Sequence, residues 1–116
     1  MRDVLKRFWH RTIWSWEGWV ASWRTESSLR QWVWANAISV ICAFALDLSP
    51  AERALIIALG LLVLAAELMN SAVENTVDYI SKETHPLAKR AKDAASAAVA
   101  VTALAAGAAW VIILVG

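Results

Sequence analysis

The chain has 116 residues, 59% of them hydrophobic, and a formal net charge of only +1. A soluble domain this small could hardly bury so much apolar surface, so the composition points to a single-domain membrane protein. The near-neutral charge gives no reason to expect nucleic acid as a partner, and Cys42, alone in an apolar run, can build neither a disulfide framework nor a thiolate metal site.

The N-terminus is basic, but no compact apolar core with a small-residue cleavage site follows it, so a cleaved signal peptide is not expected. Residues 1–28 read instead as a surface helix. At about 100° per residue, Leu5, Phe8, Trp9, Ile13, Trp16, Trp19, Val20 and Trp23 share one face, and Arg7, Arg11 and Gly18 lie opposite. Seven of the eight tryptophans fall in the first 34 residues, where they suit a helix lying at the headgroup level. Trp14 is on the polar side, as an interfacial anchor or as a stacking surface for a ligand.

Three stretches are apolar enough to cross a bilayer as helices of about 20 residues: 29–48, 54–80 and 86–116, the last with its apolar part from residue 94. Between the first two, "DLSPAER" (47–53) predicts a tight hairpin: Ser49 as N-cap, Pro50 at the first helical position and Glu52 closing a capping box. Between the second and third, "SKETHPLAKRAKD" (81–93) is longer, with Pro86 opening the new helix. Lys and Arg concentrate in residues 1–30 and 81–93, with only Arg53 in the short connection, which predicts a cytoplasmic N-terminus and an outer C-terminus. The small residues of the third span favour close helix approach and hence self-association.

The second span carries the polar groups that need an explanation. Glu67, Asn70, Glu74 and Asp78 are spaced i, i+3, i+7 and i+11, within one narrow strip of a helix face. Glu67 lies deep in an apolar run with no cation at a neighbouring turn, the placement expected of a functional group. It is about 10 Å along the axis from Glu74, too far for the two to share one metal ion. Lys89, Lys92, Asp93 and Ser96 share a face of the third helix, and Glu26, Arg30 and Gln31 open the first span. Carboxylates for a hard divalent cation, cations for phosphate and a buried candidate base together fit phosphoryl transfer at a membrane surface. A surface ion-pair network is the plainer account of Asp78, Lys89, Lys92 and Glu74. The four glycines are scattered, so no phosphate-binding loop exists and a nucleotide site must be built from side chains and metal. Residue patterns leave three classes open: a lipid-modifying enzyme, a proton-conducting or transport subunit with Glu67 as relay, and a structural membrane oligomer.

"ELMNSAVENTVD" (67–78), with "ESSLRQ" (26–31) before it and "KRAKDAASAAV" (89–99) after it, resembles the prokaryotic diacylglycerol kinase family, including its undecaprenol kinase branch. The family pattern E-x-x-N-[ST]-A-[IV]-E-x-x-x-D is matched at every constrained position, and the resemblance covers essentially the whole chain. It implies an all-α homotrimer in the bacterial inner membrane, each subunit with three transmembrane helices and an amphipathic surface helix. The reaction implied is transfer of the γ-phosphoryl group of ATP, with Mg²⁺, to the hydroxyl of diacylglycerol to give phosphatidic acid. By position, the resemblance makes Glu67 the general base and Glu26 and Glu74 the metal ligands. Glu83, His85, Lys92, Asp93, Arg7 and Trp14 join those two metal ligands as nucleotide contacts, and Asn70, Asp78, Arg30, Gln31 and Ser96 line the active site or the lipid entrance. Trp32 replaces an acidic residue frequent in the diacylglycerol branch, and Trp14 a common Tyr. "ESSLRQ" matches the diacylglycerol branch and "HPLAKRAKD" the undecaprenol branch, so undecaprenol is the alternative acceptor.

Overall fold

A computed structural model describes residues Met1–Gly116 as four helices and no strands: α1 (Arg2–Thr25), α2 (Ser27–Ala45), α3 (Pro50–Ile80) and α4 (Pro86–Val115). The two proline-led starts form as their local chemistry requires. Ser49 Oγ accepts from the Glu52 amide at 3.2 Å while Glu52 Oε1 accepts from the Ser49 amide at 2.8 Å, so two otherwise orphaned donors are satisfied reciprocally. This cap starts α3 at Pro50, one turn before the span expected from residue 54. At α4, His85 is the N-cap, its Nδ1 accepting from the Leu87 amide at 3.0 Å, and Pro86 is the first helical residue.

The break between α1 and α2 falls at Glu26, earlier than the expected boundary at residue 28. Glu26 is extended (φ −110°, ψ 104°) and is both the C-cap of α1 and the N-cap of α2. Its amide donates to Ser22 O at 2.8 Å, and the Arg30 guanidinium donates to Trp23 O, so side chain and backbone together satisfy the end of α1. Arg53 does the same service for α2, donating to Ala43 O at 2.8 Å and Leu46 O at 3.3 Å with its guanidinium 5.5 Å from the Phe44 ring centre.

α3 is the central helix, packed on α4 and α2, and α1 rests on α2 and α3. α2 and α4 flank it without close backbone approach, but Trp110 Nε1 on α4 donates to Ser39 Oγ on α2 at 2.8 Å. A compact cluster of Ala43, Ile56 and Ala109, with Leu48, Leu59, Trp110 and Ile113 against it, ties the three together at the end away from Glu67. Gly60 lets α2 come close: a Cβ there would stand 2.0 Å from Asn36 Oδ1.

The molecule is a slab of 49 × 45 × 24 Å with little interior, and large apolar side chains remain exposed along α4 (Leu104, Val111, Ile112, Leu114) and α2 (Ile38, Ile41, Phe44). α3 and α4 are each long and apolar enough to cross a membrane; α2, with 19 residues and Ser28, Arg30 and Gln31 in its first turns, is shorter and less apolar. At 1.5 Å per residue α3 runs about 46 Å, well beyond a hydrocarbon core of about 30 Å. Part of it must therefore reach headgroup depth.

Candidate active site

Glu67 is the centre of the site. It sits on α3 between Val63 and Ser71, one turn to either side, and all three are buried, Glu67 itself being only 4% exposed. No cation pairs with it. Its one hydrogen-bond partner is Ser28 of α2, whose Oγ donates to Glu67 Oε1 at 2.5 Å. Leu29, the next residue of α2, is fully buried and anchors that first turn. An unpaired carboxylate in so apolar a run is costly; here a hydroxyl and the start of α2, whose backbone N–H groups favour negative charge, offset part of the cost.

One turn further along α3, Asn70 Nδ2 donates to Glu74 Oε1 at 3.2 Å. Asn70 Oδ1 is the one buried side-chain polar atom without a partner in the chain, so a donor is missing beside the Glu67–Glu74 face. Glu74 is half-buried, in keeping with its place nearer the helix end.

Beyond Glu74 the environment changes. Asp78 Oδ1 accepts from Lys92 Nζ at 2.7 Å across α3 and α4, and Asp93 Oδ2 accepts from Lys89 Nζ at 2.6 Å within α4. Of the network expected as the plainer account, Asp78 pairs with Lys92 as foreseen, Lys89 pairs instead with Asp93, and Glu74 is in neither pair. The pairs flank a cavity of about 250 Å³ at the α3–α4 turn, which Asp78, Glu83, His85, Lys92 and Asp93 all line. Because His85 Nδ1 accepts the Leu87 amide, its Nε2 carries the proton of the neutral ring. A neighbouring cavity of about 440 Å³ shares Val77, Glu83 and His85 but adds the apolar Ile80 and Leu87.

The predicted residues therefore fall into separate groups within one chain. Glu67, Asn70 and Glu74 form one on α3, and Asp78, Glu83, His85, Lys92 and Asp93 another at the turn. Glu26 and Arg30 stand at the α1–α2 junction. Arg7 and Trp14 are exposed on α1, with the Trp14 ring stacked on His10 at 5.7 Å between centres. Gln31 and Ser96 are exposed. The sequence did not single out Ser28, Asn36 or Ser39; the hydrogen-bond partners of Ser28 and Ser39 are far along the chain, as is Gly60, against which Asn36 packs, and only a hydroxyl near a helix start marked Ser28 in advance.

No three His, Cys, Asp or Glu side chains converge in one chain to hold a metal ion. Magnesium does not require it, being commonly held by one or two carboxylates together with substrate phosphates. Glu26 and Glu74, both half-buried and oxygen-bearing, suit that hard cation.

The family model described as prokaryotic diacylglycerol kinase matches residues 13–114. The chain is 47% identical over 112 residues to the diacylglycerol kinase of Pseudomonas aeruginosa, covering 97% of this chain and 91% of the relative. It is 41% identical over 100 residues to the diacylglycerol kinase of Escherichia coli, with 86% and 82% coverage. It is also 39% identical over 103 residues to the undecaprenol kinase of Bacillus subtilis, with 89% and 84% coverage.

Proposed function

The chain belongs to the prokaryotic diacylglycerol kinase family, which makes it a membrane lipid kinase that uses ATP, and we propose that it phosphorylates diacylglycerol to phosphatidic acid with Glu67 as general base. The single observation that carries the reading is Glu67 itself: a 4% exposed carboxylate with a hydroxyl and no cation for company. In the step that follows, the proton of the lipid hydroxyl passes to Glu67. The hydroxyl oxygen forms a bond to the γ-phosphorus as the bond to the β–γ bridging oxygen breaks, and ADP leaves with that electron pair.

Glu26 and Glu74 would hold magnesium, which when bound neutralises phosphate charge. Lys92, Asp93, Glu83 and His85 surround the nucleotide at the α3–α4 turn, with Arg7 and Trp14 reaching it from α1. Asn70, Asp78, Arg30, Gln31 and Ser96 line the active site and the lipid entrance. The separation of these groups within one chain supports a homotrimer whose active sites combine elements of neighbouring subunits, and the uncovered apolar faces of α2 and α4 give such an assembly its surface. α2 serves as a third span. α1, with Leu5, Phe8, Trp9 and Trp16 exposed on one face, lies at the headgroups of the bacterial inner membrane, N-terminus in the cytoplasm.

Diacylglycerol is favoured because "ESSLRQ" matches that branch and because two of the relatives above, at 47% and 41% identity, bear that name. "HPLAKRAKD" and the relative from Bacillus subtilis favour undecaprenol as the second reading. Purified enzyme with Mg-ATP and each lipid in the same bilayer decides between them by kcat/KM. The expected order is diacylglycerol over undecaprenol; the reverse order reassigns the acceptor and leaves the kinase chemistry intact.

A further inference from the structure

The Ser28–Glu67 hydrogen bond has a consequence for the chemistry. A carboxylate offers two oxygens, and here they are treated differently. Oε1 accepts the Ser28 hydroxyl at 2.5 Å. Oε2 has no partner in the chain, and it is not sealed either, since Asn70 Oδ1 is the one fully buried side-chain polar atom without one. Both ends of the bond are rigidly held. Glu67 lies between buried Val63 and Ser71, and Ser28 precedes fully buried Leu29 in a turn that Arg30 pins to Trp23 O.

We propose that Ser28 is a positioning residue for phosphoryl transfer: its hydroxyl holds Oε1 and fixes the carboxylate plane, so that Oε2 is presented to the acceptor hydroxyl. The inference rests on the reading of Glu67 as base. Without the hydroxyl, rotation of the carboxyl group about its terminal bond, broad and soft for glutamate, leaves the base in place but misaligned. Misplacement on this scale lowers turnover while ATP, bound elsewhere, is held as before.

The test uses the assembled enzyme in bilayers of defined lipid containing diacylglycerol, with Mg-ATP varied. Ser28→Ala and Ser28→Thr are each made in the wild-type and the Glu67→Gln backgrounds. Ser28→Ala is expected to lower kcat about tenfold with the KM for ATP unchanged within about twofold, a loss of the size that misalignment produces. Ser28→Thr, which keeps a hydroxyl on Cβ, is expected to recover most of the rate, and Ser28→Ala is expected to cost nothing further once Glu67 is Gln. Wild-type kcat in Ser28→Ala beside an inactive Glu67→Gln would overturn the role of Ser28 and leave the base standing. Failure of Ser28→Thr to recover the rate, or the same proportional loss in both backgrounds, would also overturn it. Near-wild-type turnover in Glu67→Gln would overturn the base assignment, and this inference with it.

Discussion

Glu67 and Asp78 stand three turns apart on the same strip of α3, and their surroundings are opposite. Asp78 is about half exposed and meets the Lys92 ammonium at 2.7 Å. Glu67 is buried, with no cation and one hydroxyl. An exposed ion pair contributes at most about 1 kcal/mol to stability, so Asp78 and Lys92 give the fold little and remain free to serve a ligand at the turn. A buried carboxylate without a counter-charge destabilises the fold that carries it, and this cost is what favours the proposed role of Glu67 as base. One helix face thus divides into an inner end suited to taking a proton and an outer end suited to phosphate.

The division can be strained at several points. Glu67 apart, the largest effects are expected from Glu26→Ala and Glu74→Ala, each lowering turnover by about 10²-fold or more, in the range that removal of a transition-state charge stabiliser produces. Both should raise the Mg²⁺ concentration needed for half-maximal rate and leave the KM for diacylglycerol little changed; unchanged Mg²⁺ titrations in both variants would remove them as metal ligands. For the homotrimer proposed above, mixed assemblies of Glu26→Ala with Glu67→Gln subunits are expected to recover part of the activity through sites shared between chains; no recovery would place each site within one subunit.

Smaller effects belong to the outer end. Lys92→Ala should raise the KM for ATP by about tenfold, the order expected for a lost charge-assisted contact, with thermal stability changed by less than about 1 kcal/mol. Lys89→Ala, which breaks only the exposed pair with Asp93 within α4, should change neither measurement by more than the few tenths of a kcal/mol typical of such pairs. A larger stability loss than activity loss in Lys92→Ala would make the turn a structural clamp and dissolve the contrast with Glu67.

Local chemistry was the legible part of this chain. The Ser49–Glu52 capping box and the His85–Pro86 start involve residues within three positions of each other, and both formed as the sequence implies. The Glu67 strip was legible because helical periodicity alone places it. The break between α1 and α2 was expected near residue 28, but its exact place at Glu26 was not legible: no Gly or Pro stands there, and the Arg30 contact to Trp23 O that accompanies it is not a local sequence signal. Nor were the contacts between helices. Ser28 and Glu67 are 39 positions apart, and Ser39 and Trp110 are 71 apart, so each pairing depends on the packing of helices that no local pattern encodes. The pairing of Lys92 with Asp78 across the turn was one of several arrangements the charges allowed.

The central claim, that the buried carboxylate of α3 is the base, is tested most directly by the initial rate of ATP-dependent diacylglycerol phosphorylation in Glu67→Gln, read beside its ATP binding and its oligomeric state. Glutamine keeps the size and the acceptor oxygen for Ser28 but takes no proton. The expected result is ATP binding and assembly like those of the wild type with turnover lowered by at least about 10²-fold, the minimum a positioned base contributes. Turnover within tenfold of wild type would contradict the account.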